Sequence, residues 1–238
     1  MGEHSGEEGQ TVAPDGTFMA LPDRTADDRA EFHSCLVELF RLMGDQPPPR
    51  GKDDEDAAWA WESEARKRLR EGLEDRQLPE RWFDPLVRTA VLDPNPSFNR
   101  QFVEPAVDSF GRRRVLTVLL QYLRTGTNQE RAGAARAWYW AQVSVSFTGK
   151  DSAGKWILTP ESQAEVDAVA DLSAEWSEAT LREFVANDDL DVRCCILPGL
   201  SLKPERHPAE LHGLVAEAVH IARTHPDGYL RHRVEHQV

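Results

Sequence analysis

The stretch "VSVSFTGKDSAGKW" (residues 143–156) offers the most direct chemistry in the chain. An alternating apolar run leads to Gly149, and Gly154 and Lys155 follow five and six positions on, which is most of a phosphate-binding loop. In such a loop backbone amides cradle phosphates, a hydroxyl after the lysine holds Mg²⁺, and a helix N-terminus faces the anion. Here Trp156 stands in place of the hydroxyl, and the next helix, with Thr159 as its cap ahead of Pro160, begins too late. The glycines therefore read as turn residues, and Lys150 and Lys155 as solvated charge. A small hairpin pairing 143–147 with 155–158 is compatible with the alternation, as is a helical tail over "VSVSF".

Two further sets could do chemistry. His232 and His236 have the i, i+4 spacing that chelates a metal on one helix face, but no third or fourth ligand is fixed, so the cluster of six histidines between His207 and His236 reads as surface imidazoles. Cys194 follows Arg193 near a predicted helix start, where a thiol pKa can fall; Cys195 reads better as a small core residue. Neither these cysteines nor Cys35 belong to a C-x-x-C pair, and no Ser-His-Asp set can be assigned. No catalytic residue, cofactor or metal is expected, and a non-enzymatic role is favoured.

The strongest binding candidates are "FGRRRV" and "ARAWYW". Arg112, Arg113 and Arg114 fall in a turn between two predicted helices, and three contiguous arginines are not expected all to find partners within the chain. Arg100, Arg131 and Arg136 add charge from neighbouring turns. Trp138, Tyr139 and Trp140 point around more than half of one helix; Trp138 reads as core, while Tyr139 and Trp140 are open between packing and an exposed contact. Arginine beside aromatics is the composition of protein hot spots and of nucleic-acid grooves.

The elements that must position these residues follow from periodicity. Residues 1–24, rich in Gly, Glu and Pro, read as a disordered acidic tail. N-terminal helices occupy 25–78: Thr25 caps the first, whose apolar residues Phe32, Leu36, Leu39, Phe40 and Met43 precede a stop at Gly44. A proline-rich linker at 46–52 leads to "DDEDAAWAWESEARKRLREGL", with Ala58, Trp61, Ala65 and Leu69 as its apolar stripe and both charge runs as a solvated face. "VLTVLLQYL", apolar nearly all round, predicts a helix packed on several sides.

From 79 to 238 a repeat emerges. Arg100, Arg131, Arg193 and Arg231 lie 31, 62 and 38 residues apart, each in a turn-then-helix segment, and 62 is twice 31. Three places after each stand Val103, Ala134, Ile196 and Val234; seven places after, Val107, Trp138, Leu200 and Val238. Nine places before stand Val91, Tyr122, Phe184 and Ala222, and Ala106, Ala137 and Gly199 are small residues between the later columns. Each unit is therefore a helix, a polar turn and a second helix, and the doubled interval predicts an intervening unit that carries the Gly-Lys stretch. This pattern, best in "NDDLDVR" with Asp191, Val192 and Arg193, resembles the HEAT-repeat family of α-solenoids. The resemblance implies an all-α chain, a short α-solenoid of antiparallel helix pairs with a small insertion near 143–158, and a curved surface used for binding.

Charge constrains the partner. The net charge of −13 argues against a generic nucleic-acid binder, yet residues 81–160 carry 6 acidic and 11 basic side chains between acidic flanks. The favoured expectation is a protein-interaction or scaffold module that binds an acidic partner through Arg100, Arg112, Arg113, Arg114, Arg131, Arg136, Tyr139 and Trp140. The alternative is a DNA-binding protein or an enzyme similar to the HEAT-like alkylpurine DNA glycosylases, although that family's catalytic residues find no match here. With no apolar run of ~18 residues and no basic-then-apolar leader, the chain is expected in the cytoplasm and away from membranes.

Overall fold

The computed structural model describes residues 26–51, 55–74 and 76–238; the expected tail and the cap at Thr25 lie outside them. The described residues form eleven α-helices and one two-stranded sheet. The helices are α1 (Ala26–Met43), α2 (Glu55–Leu73), α3 (Phe83–Leu92), α4 (Arg100–Phe110), α5 (Arg112–Thr125), α6 (Asn128–Ala141), α7 (Pro160–Asp167), α8 (Ala170–Ala186), α9 (Leu190–Ile196), α10 (His212–Thr224) and α11 (Gly228–Glu235). Strands β1 (Phe147–Lys150) and β2 (Trp156–Leu158) interrupt the series between α6 and α7. The chain is thus mostly helical, and no described helix is long and apolar enough to cross a membrane.

Local sequence explains most boundaries. Gly44 ends α1 at φ 76°, a left-handed conformation that a Cβ disfavours. Thr127 and Glu130 close a capping box on α6, and Thr159, Asp189 and Asp227 cap α7, α9 and α11 through their side-chain oxygens. α9 is short because Pro198 follows it, and the chain passes into a 3-10 turn over Leu197–Gly199. Leu200 is consequently beyond the helix that the repeat pattern predicts for it, though still buried.

α1 and α2 run the same way. His33 meets Glu62, and ten residues further along each helix Met43 crowds Gly72. The proline-rich segment after α1 lies between them. Trp61 fixes it by donating Nε1–H to the carbonyl of Pro48 at 2.8 Å, with Arg50 over its ring.

The helices touch in two series. α1 packs on α3, α3 on α5, α5 on α8 and α8 on α10; α2 packs on α4, α4 on α6, α6 on α9 and α9 on α11. Rungs join the series at α1–α2, α3–α4, α5–α6, α8–α9 and α10–α11. One apolar cluster runs from Phe32 to Val234, and the positions three after each repeat arginine, Val103, Ala134, Ile196 and Val234, are all buried in it. α5 touches α3, α4, α6 and α8, leaving Thr117 and Gln121 to solvent. α6 approaches α3 so closely that a Cβ on Gly133 would stand 1.8 Å from the carbonyl oxygen of Val91.

The doubled interval between Arg131 and Arg193 corrects an expectation. It holds the hairpin, short α7 and then α8, which pairs with α9, rather than a further helix pair. The extra residues there are an insertion.

Candidate functional site

Consecutive residues on a helix project about 100° apart, and this decides the fate of the arginine run. Arg112 donates to the carbonyls of Ala141 and Gln142 at the end of α6. Arg113 reaches the start of α8, donating to Ala168 O at 2.8 Å and to both carboxylate oxygens of Asp171. Arg114 turns to the 3-10 turn before α3, where it forks onto Glu80 and covers the ring of Phe83 at 3.8 Å. All three therefore have partners within the chain, contrary to the expectation from their contiguity, and they tie α5 to three neighbours. The carboxyl of Asp171, hydrogen-bonded by Arg113, is pulled down to about 2, and Glu80 is lowered by Arg114.

Arg131 pairs with Glu183 of α8 at 2.8 Å. Arg136 is buried and faces inward, away from any surface it was expected to serve. Its Nη1 lies 3.1 Å from Cys195 Sγ and 3.7 Å from Asp191, and its Nη2 donates to Asp93 O. It is one end of a buried polar chain that the sequence pattern did not reveal. Asp93, fully buried after α3, accepts both a 3.1 Å bond from Nε and a 2.8 Å bond from Nη2 of Arg66. Arg66 also reaches Glu62, whose other oxygen lies 2.8 Å from His33 Nε2. Burial pushes Asp93 up, against the Arg66 charge. Burial also pushes Glu62 up, but the His33 hydrogen bond and Arg66 outweigh it and hold the carboxyl below its ordinary range.

Arg66 was assigned with its charge run to a solvated face; that assignment is corrected by its near-complete burial, and Glu62, which the sequence did not single out, is buried beside it. A signal existed, because each directly follows a residue of the Trp61–Ala65–Leu69 stripe and so flanks the buried face.

Arg100, Tyr139 and Trp140 are the predicted residues that meet at the surface. Trp140 donates Nε1–H to Pro96 O at 2.9 Å, Arg100 covers its ring at 5.1 Å, and Tyr139 stands edge-on to it at 4.9 Å. Tyr139 is 68% exposed, while Trp138 is buried and stacks on Trp176 at 3.9 Å. Arg100 also pairs with Glu104, one turn along α4. Beside it opens a cleft of about 700 Å³ between the end of α2 and α4, lined by Arg70, Arg76, Gln77, Phe98, Arg100 and Gln101 and balanced by Glu74, Glu104 and Asp108. Phe98, exposed at its rim, was not singled out by sequence.

The remaining candidates are placed as follows. Gly154 and Lys155 form the hairpin turn, where Asp151 accepts from the amides of Ala153 and Lys155, and α7 begins only at Pro160. The strands are shifted about three residues from the expected first segment. Cys194 is buried, which pushes its thiol upward and away from the reactive thiolate. His232 and His236 lie ring to ring at 4.5 Å, and among the described residues no three His, Cys, Asp or Glu side chains converge as a metal site would need. Comparison with protein-family models, curated proteins and solved structures found no match for the chain.

Proposed function

We propose that the chain is a short α-solenoid, similar to HEAT-repeat proteins, that works as a non-enzymatic docking module for an acidic segment of a partner protein. The two series of helix contacts joined by rungs support the stacked reading, with α1 and α2 as a first, parallel-running unit. The observation that carries the binding role is exposed Tyr139 set against half-buried Trp140, whose ring is covered by Arg100, a residue that also lines the cleft. Aromatic rings beside arginine supply contact area with little conformational entropy to lose, and they dominate interface energetics. Arg70 and Arg76 inside the cleft give acidic side chains a place to go.

The ion pairs of Arg113, Arg114 and Arg131 weigh against the DNA reading, since these guanidiniums already face carboxylates and are not free to neutralise a run of phosphates. Fluorescence polarisation with labelled peptides tests the assignment. An acidic peptide with aliphatic residues should bind, a lysine-for-glutamate counterpart should not, and Arg100→Glu with Tyr139→Ala should weaken binding at least tenfold. Equal binding of both peptides, or salt-steep binding of duplex DNA, would contradict it.

A further inference from the structure

The hairpin between α6 and α7 gathers four of the nine exposed large apolar side chains among the described residues. Val145, Phe147, Trp156 and Ile157 are each more than two-fifths exposed, and two-stranded hairpins are marginal in water without a covered face. The ladder pairs Phe147 with Leu158, Gly149 with Ile157 and Lys150 with Trp156, with an irregularity between Phe147 and Gly149. Residues three apart on a strand normally point to opposite faces. The extra residue of the bulge brings Phe147 and Lys150 to the same face. Phe147 therefore lies 5.4 Å from Trp156, ring to ring, and Lys150 covers Trp156 at 4.5 Å. The result is a stripe from half-buried Leu158 at the base, through Phe147 and Trp156, to a cation at the tip.

Two properties indicate what fits there. The sheet has two strands only, so the outer edges of β1 and β2 have no strand neighbour among the described residues. Within 143–160 the charges are Lys150, Lys155 and Asp151, with Asp151 Oδ1 accepting from the amides of Ala153 and Lys155 in the turn, so two lysines stand against one carboxylate on a chain of net charge −13. A second copy of the chain would bring like charges together at both levels, lysine to lysine and acidic body to acidic body.

We propose that the hairpin receives an extended, acidic and apolar segment of a partner protein as a third strand, with main-chain hydrogen bonds along an open edge, apolar side chains on Phe147 and Trp156, and carboxylates near Lys150 and Lys155. This rests on the docking-module reading and adds to it a second contact, at the hairpin, for the same kind of acidic segment.

The test uses the full chain and a labelled eight-residue peptide alternating valine and glutamate, with a version N-methylated at every second residue, which keeps the side chains and removes the amides a strand needs. The unmodified peptide should bind, and N-methylation and Trp156→Ala with Phe147→Ser should each weaken it at least tenfold. Both hairpin positions are exposed, so the thermal transition should stay in place and report intact folding. Equal affinity for the methylated peptide, unchanged affinity in the hairpin variant, no binding at all, or self-association of the chain that the variant abolishes would each overturn the proposal. Loss of affinity in Arg100→Glu with Tyr139→Ala alone would sink the hairpin while leaving the docking module standing.

Discussion

Arg66 holds the buried charges of the N-terminal half in register, bridging Glu62 on its own helix and Asp93 beyond α3. A buried pair adds little net stability over a well-packed apolar pair, but removing one partner strands the other charge at a cost of about 3–5 kcal/mol. Asp93→Ala is therefore expected to lower stability by about that amount, and adding Arg66→Met should restore much of it, as urea unfolding of the single and double variants will show. Glu62 sets a pH dependence. Its folded-state carboxyl is held below the ordinary 4.5, so its contribution is fully present above that value and is lost as pH falls beneath it. Glu62→Gln should flatten the fall in urea midpoint between pH 5 and 3; an unchanged slope would exclude the His33–Glu62–Arg66 arrangement. At this scale the sequence was partly legible. Trp138 reads as core from its column and is core, whereas Arg112, Arg113 and Arg114 read as surplus charge because their three acceptors come from α6, the start of α8 and the turn before α3, far away in the chain.

Close approach of backbones is the property that matters for α6. Gly133 faces Val91 O at a distance no side chain tolerates, so Gly133→Ala must push α6 off α3 and should cost about 1–3 kcal/mol or more; an unchanged denaturation midpoint would show that the helices are not so close. The hairpin is the opposite case. Its strands are exposed on both faces, so replacing 145–157 by a short Gly-Ser linker should leave the thermal transition of the helical body within about 2 °C, because few buried contacts are lost. Helix positions were legible where a stripe and a cap coincide, as for α1 with Phe32, Leu36, Leu39 and Phe40 before Gly44. Positions were missed where one residue overrides a period: Pro198 cuts α9 short, and the bulge between Phe147 and Gly149 breaks the alternation within β1.

Across the whole molecule, the repeat arginines mark the early turns of α4, α6, α9 and α11, and the apolar position three places on is buried in all four. That much of the architecture was written in spacing. The doubled interval was not decodable, since an inserted hairpin and helix occupy about as many residues as one more unit would. Residues 81–160 carry a basic excess within an acidic chain, and on the docking reading proposed above the exposed Tyr139 at the end of α6 is the contact for an acidic segment. Hydrogen–deuterium exchange of the full chain with and without the valine–glutamate peptide tests this account most directly. It predicts slowed exchange over 147–158, and around Phe98, Arg100 and the end of α6, with α10 and α11 unchanged; slowing confined to α8–α11, or absent throughout, would contradict it.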